Sequence, residues 1–510
     1  MNITTFAAIY IGSYELSMKI FEISSRKKVK EIDHLRHRLE IGKDAYTKNY
    51  IAYETSEELC DTLMEFTKIM QEYRVDSYWA CASTAFRSAK NELFLIDQIK
   101  RITKLDVQVL SNSEHRFISY KSVASQEDFE KNIAKSAAVV DVGGGSLQIT
   151  LFIDGKAVTT QNMILGTLRI YEKLLDIEKR VVHYNEQIEE LVDKELENLI
   201  SLYVKKKEIQ NVILIGDYGT EIMHRLRDNE SESVLEAKDF IKYLDYIEHF
   251  NEHQIAEELN LPNEKDRLLV PSVILYKRIV EKLKAKNVWI PGLNMNDGIC
   301  FDYAQEHGMI KLAHDFDKDI ISASEYLANR YGAYTPHITA LVDMANLIFD
   351  SMKKIHDMGN REKLLLQVAA ILHDCGKYVS FVNGPECSYD IIMASEIIGL
   401  THLEREIVAS TVKYNTYQLD DYEDLANKMD QKSYMIVAKL AAILRLANAM
   451  DRSHKQKFKN VRAVLYDKKL IITIESFDDI VLEKGLFYTK SDSFEKIFGI
   501  KPLIKEKRIV

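Results

Sequence analysis

Apolar positions at the front of the chain follow strand spacing. FAAIY, IGS and LSMKIFEI, within residues 5–24, read as strand, tight turn, strand. The same shape returns at 136–158 as SAAVV, DVGGGS and LQITLFIDGKAV. The two segments form a weak internal repeat, with Tyr10 and Asp141 at the shared position. Two copies of one unit predict two similar lobes with glycine turns at a central cleft. Between the copies, a helix near 54–74, the strand SYWACAS, a second helix and VQVLSN are expected. The second lobe continues with helices through 171–206, the strand and turn NVILIGDYGT, and a helix at 266–285, and closes near Pro291-Gly292. Strands alternating with helices mark an α/β fold.

From about residue 311 the periodicity changes. Residues 317–452 carry long amphipathic runs and almost no strand signal, which predicts a helical domain. VRAVLYD and KLIITIE then look like a hairpin, followed by a short helix at SDSFEKIFG and a last strand. The expected boundaries are 1–128 and 129–310 for the two lobes, 311–454 for the helical domain and 455–510 for a small α+β tail. A chain of 510 residues is long enough for several cores.

Composition narrows the function classes. The formal charge is −10, from 68 basic and 78 acidic residues. A dedicated nucleic-acid binder needs a basic face, so no nucleic-acid partner is expected. A local basic groove for a chain of phosphates stays open, but the lysines are spread along the sequence. The five cysteines show no CxxC pair, which fits a reducing cytosol. The segment MNITTFAAIYIGSYE has no basic leader, and no apolar run reaches the ~18 residues of a membrane span. A cytoplasmic protein with no membrane partner is expected.

VVDVGGGS (139–146) carries the clearest chemistry. A buried strand delivers Asp141 to its end, and Gly143, Gly144 and Gly145 let backbone amides turn inward as an anion nest, with Ser146 adding a hydroxyl. Asp141 can hold a divalent ion, or merely order a glycine-rich hairpin. Related turns at Gly12-Ser13 and Gly216–Thr220 favour phosphate binding. Neither GxxxxGK[ST] nor GxGxxG is present.

DVGGGS resembles the second phosphate loop of the exopolyphosphatase / guanosine-pentaphosphate phosphatase family. Other segments resemble that family in order: ASTAFRSAKN (82–91), LSNSEHRF (110–117), LGTLRI (165–170), IGDYGT (215–220) and NMNDGI (294–299). The resemblance implies an α/β two-lobed actin-like/ribonuclease-H-like ATPase fold, followed by an all-α HD-like domain and a small α+β tail. It implies release of terminal phosphate from inorganic polyphosphate or guanosine pentaphosphate, with Mg²⁺ or Mn²⁺, by a homodimer. Glu114 then activates water, Arg87 stabilises charge, Asp141 holds metal, and Gly12, Ser13 and Gly143–Ser146 cradle phosphates.

The sequence departs from the family in places that bear on activity. Tyr10 stands where the family has Asp, Gln148 where it has Glu, and Ser113 where it has the first of two adjacent glutamates. A phenol carries no charge for a metal at neutral pH, and an amide is a weak ligand for a hard cation. The alternative is a catalytically weak protein that binds polyphosphate or guanosine polyphosphates. In the helical domain, His337, His373 and Asp374 match three of the four metal ligands of a working HD site, while Asn448 stands in the usual place of the fourth. A structural His373-Asp374 pair is favoured there over a complete di-metal centre.

Overall fold

Phe6, Ala7, Ala8 and Ile9 are apolar on both faces of their strand, so that strand belongs inside a sheet. The computed structural model places it there. The structure describes residues 3–24, 28–178, 184–204, 208–216, 218–226, 234–261, 267–311 and 313–508. Parts of the expected helices at 171–206 and 266–285, and Asp217 of the third turn, lie outside them. The chain forms two compact units, Met1–Asp315 and Phe316–Val510.

The first unit contains two sheets of related topology. One runs β3-β2-β1-β4-β5, from β1 (Ile3–Ile11), β2 (Glu15–Ser24), β3 (Lys28–Arg38), β4 (Ser77–Ala82) and β5 (Val107–Val109). The other runs β10-β11-β9-β6-β7-β8, from β6 (Ser136–Val142), β7 (Leu147–Ile153), β8 (Lys156–Met163), β9 (Asn211–Gly216), β10 (Val234–Glu236) and β11 (Asn287–Trp289). Each has three antiparallel strands in succession, and the first of them pairs in parallel with the next. The repeat extends to register: Tyr10 faces Ser17 across its hairpin as Asp141 faces Gln148 across the other. LQITLFIDGKAV is two strands rather than one. It reverses at Asp154-Gly155, both left-handed at φ 52° and 72°, as a tight hairpin requires.

Two helices follow β3: α1 (Ile41–Lys48), whose Gly42 N–H donates to the Ser13 carbonyl of the first turn, and α2 (Tyr53–Glu72). Buried Asp44 joins them. It accepts hydrogen bonds from Lys48 Nζ (2.9 Å), the Ala52 N–H (3.1 Å) and Thr55 Oγ1 (2.8 Å). Burial pushes its carboxyl up, but Lys48, Thr55 and Ala52 outweigh that and hold it below the usual range. Asp44→Ala is expected to cost about 1–3 kcal/mol in thermal melts at pH 7, because its donors lose their acceptor. A depressed carboxyl stabilises the fold above its ordinary pKa of about 4, and that contribution is lost as pH falls through the folded value. The gap between wild type and variant should therefore close below about pH 4.

Two further helices matter for the cleft: α3 (Asn112–Ala124) and α4 (Thr167–Glu178). A fifth, α5 (Met295–Glu306), follows the second sheet in sequence but packs on α3, β1 and β2. Its Asn296 amide donates to the Ala8 and Ser17 carbonyls, and Asn296 Oδ1 accepts from Ser17 Oγ.

The second unit is helical through residue 450. Its core includes α6 (Thr335–Ser351), α7 (Asn360–Leu372) and α8 (Gln431–Met450). Contrary to the sequence reading, α8 is long and apolar enough to cross a bilayer, at a mean hydropathy of 1.3. Two-thirds of that window is buried, as for a core helix: 67%. The tail forms a sheet ordered β12-β13-β14, from β12 (Lys459–Tyr466), β13 (Lys469–Ser476) and β14 (Lys501–Arg508). The helix α9 (Val481–Phe498), longer than the expected SDSFEKIFG, connects the last two strands and packs on α8.

Candidate active site

The two hairpin turns are built alike. Gly12 N–H donates to Glu15 O at 2.9 Å, and Gly143 N–H donates to Ser146 O at 3.0 Å. The first amide of each turn is thus spent on closing it. The turns also meet: a Cβ on Gly144 would lie 2.8 Å from Ser13 Oγ, and one on Gly145 would lie 2.2 Å from the Tyr46 hydroxyl. A side chain at either position would have to displace Ser13 or Tyr46. The Gly143 and Gly144 carbonyls accept from Thr167 N–H (3.1 Å) and Arg169 N–H (3.2 Å) at the start of α4, which fixes the loop's orientation. Arg169 stacks 3.8 Å above the Tyr46 ring. The third turn is anchored by Gly216 at φ 142°, where a Cβ would meet the Val142 carbonyl at 2.5 Å.

These turns border a cavity of about 330 Å³. Tyr10, Gly12, Ser13, Asp141, Gly143 and Gly144 line it, with Gly216 and Thr220 from the third turn. Lys19, His34 and Arg36 line the same cavity from β2 and β3, with Glu15 and Glu31 beside them. Burial, with Lys19 and Arg36 adding to it, lowers His34 to about 4, so this ring is neutral at pH 7. Glu15 also lines the cavity, and Arg36 Nε pairs with it at 2.8 Å, which offsets its charge.

Glu114 and Arg87 are not among the lining residues. Ser111 caps α3, and Glu114 closes a capping box: its N–H donates to Ser111 Oγ at 3.2 Å, while its carboxylate accepts the Ser111 N–H at 2.8 Å. Arg87 is exposed and donates to Asn112 Oδ1 at 2.8 Å. The next residue of α3 enters the cavity instead. His115 Nε2 lies 2.7 Å from the Tyr10 hydroxyl. Burial holds His115 below the ordinary imidazole range; Asp141 opposes that shift and Arg116 adds to it. The pattern Ser-x-x-Glu in LSNSEHRF is itself the capping-box signature, the sequence signal for the place Glu114 takes at the helix start.

In the second unit the expected HD-like residues come together. The rings of His337 and His373 are 5.1 Å apart, and His373 Nε2 lies 3.3 Å from Asp374. The surroundings differ from a metal cage. His337 Nδ1 bonds Asp451 at 2.8 Å, Asp374 bonds Lys377 at 2.6 Å, and His373 Nδ1 bonds the Ala370 carbonyl at 2.8 Å. His337 Nε2 and Asn448 Oδ1 are buried without a hydrogen-bond partner among the described residues. In neither unit do the described residues place three or more His, Cys, Asp or Glu side chains to hold a metal ion.

Residues 20–307 match the Ppx/GppA phosphatase family, and residues 322–490 match Ppx/GppA phosphatase, domain III. A bifunctional 3-dehydroquinate synthase/phosphatase from Fusobacterium nucleatum is 25% identical over 292 residues, 54% of this chain. The match spans only 43% of that relative's length. The exopolyphosphatase structure from Cytophaga hutchinsonii aligns with a TM-score of 0.52 at 18% identity, covering 61% of this chain and all of the other (100%). The Aquifex aeolicus family member aligns at 0.50 and 18%, covering 62% and 100%. These likenesses establish the actin-like two-lobed fold, and the matched residues establish that the chain belongs to the Ppx/GppA phosphatase family.

Proposed function

We propose that this chain is an exopolyphosphatase-type phosphohydrolase that releases terminal phosphate from inorganic polyphosphate or guanosine pentaphosphate. The observation that carries the reading is the meeting of two glycine turns at a cavity that also holds Asp141 and the Tyr10–His115 pair. Inward-facing amides of glycine turns favour the phosphate end of a polyanion, and the volume suits a few phosphate groups. The Tyr10–His115 pair supplies a proton path in place of Glu114. Water attacks the terminal phosphorus as the bridging P–O bond breaks and the shortened chain departs. The water proton passes to the Tyr10 oxygen while the phenolic proton passes to His115 Nε2. A divalent ion fits only as a guest of the substrate: Asp141 would hold it beside phosphate oxygens, where it would screen their charge.

The second reading, a regulatory protein that binds these anions and turns them over poorly, is favoured by the same Tyr10 and Gln148 where acidic ligands were expected. The reading carries a cytoplasmic homodimer as well, which a monomer by light scattering at micromolar concentration would contradict. The deciding assay is phosphate release from long-chain polyphosphate and guanosine pentaphosphate with Mg²⁺ or Mn²⁺. Steady release is expected. No release from either substrate, together with calorimetric binding of one of them, would replace the hydrolase by the binding protein. A gain on Tyr10→Asp with Gln148→Glu would then identify the missing carboxylates as the cause.

A further inference from the structure

Lysines that look dispersed along the sequence are gathered by strand register in the tail. One face of its sheet, with Leu470, Ile472 and Ile474, is buried in the core of the second unit. The opposite face is open. Register places Tyr466, Lys469 and Lys501 in one row across it. Val464, Ile471 and Leu503 form the next row, and Arg462, Thr473 and Lys505 the third. Tyr466 is 70% exposed and Val464 61%. Lys469, Lys501 and Lys505 are exposed, with no ion-pair partner among the described residues. Glu475 is the one acid at the face positions of these strands, and Lys507 (3.2 Å) and Asn460 (2.6 Å) already engage it.

We propose that this face binds single-stranded nucleic acid. The net charge of −10 describes the whole chain, whereas register concentrates cations on one sheet face. A bare chain of phosphates would need the cations alone. An open tyrosine beside an apolar central row adds what a phosphate chain cannot use: a flat surface on which bases stack while phosphates reach the flanking lysines. Rows roughly 7 Å apart let successive nucleotides fall on successive rows. The inference does not depend on the chemistry of the cleft.

The test is fluorescence anisotropy of a labelled 12-residue oligouridylate with the full chain. Binding is expected with a slope of log K against log salt of roughly −2 to −3, three or four phosphate contacts at about 0.7 each. The triple variant Lys469→Glu, Lys501→Glu, Lys505→Glu should weaken binding at least about tenfold and flatten that slope. Tyr466→Ala should weaken it about five- to tenfold with the salt slope kept. All four side chains are exposed, so melting temperatures should be unchanged. Absence of binding, or binding that the triple variant leaves intact, overturns the proposal. So does a Tyr466→Ala protein that binds like wild type while polyphosphate displaces the oligonucleotide, which would make the face a polyphosphate site. Capture of phosphatidylserine vesicles without oligonucleotide binding would make it a lipid site and overturn the proposal equally.

Discussion

His115→Gln is expected to lower the rate of phosphate release by about 10²- to 10⁴-fold, the usual worth of a positioned acid–base group. Glu114→Gln should change it by less than about tenfold and should leave the helix cap nearly intact, because the Gln side-chain oxygen can still accept the Ser111 N–H. The contrast rests on where one turn of α3 points its side chains. Adjacent helical residues diverge by about 100°, so the residue that turns back to the Ser111 N–H cannot also face the cavity. Glu114 is the one that turns back, and His115 reaches Tyr10. Tyr10→Phe should fall with His115→Gln, and the double variant should be no worse than the slower single one, as for groups that act as a unit. Steady-state kinetics of the three proteins, with melting temperatures as a control for folding, decide the matter. A Glu114→Gln protein that is inactive yet fully folded would return the role to the carboxylate.

Much of the fold was legible because it rests on local patterns. The repeated strand–turn–strand units, the helical stretch after residue 311 and the tail hairpin all follow from periodicity and glycine placement. The glycine turns were legible for the same reason: Gly144 and Gly145 sit where the chain passes close to Ser13 and Tyr46. What the sequence hid depends on contacts distant along the chain. Tyr10 and His115 are 105 residues apart, and Lys19 and Asp297 are 278 apart. No spacing rule connects such pairs. β3 was missed because KVKEIDHLRHR is largely charged, and it is held by pairing with β2 rather than by an apolar face of its own. The split of LQITLFIDGKAV was missed because Asp154-Gly155 reverses a run that reads as one strand. The basic tail face was invisible until register set three strands side by side.

The second large effect concerns the attachment of α5 to the first sheet. Lys19 is buried, with its Nζ 2.9 Å from Asp297 and 2.8 Å from Glu31. Lys19→Met would leave Asp297 in the interior without its cation, a loss of about 3–5 kcal/mol, or a fall in melting temperature of roughly 5–15 °C. Burial already raises the Asp297 carboxyl, and Lys19 opposes that shift. Without Lys19 the carboxyl must rise further. A carboxyl raised on folding leaves stability intact below its unfolded pKa of about 4 and removes it as pH rises through the folded value. The gap between wild type and Lys19→Met should therefore widen from pH 4 to pH 7. Adding Asp297→Asn should recover most of the loss at pH 7, because an amide needs no counter-charge. The Asp297 carboxylate also accepts the Asn294 N–H at 2.8 Å at the start of α5, and an Asn side chain oxygen can keep that bond. A single variant that melts within 1 °C of wild type at pH 7 would mean that water reaches Asp297 in place of Lys19. The helix would then be held by Asn296 and its contacts on Ala8 and Ser17 rather than by the ion pair.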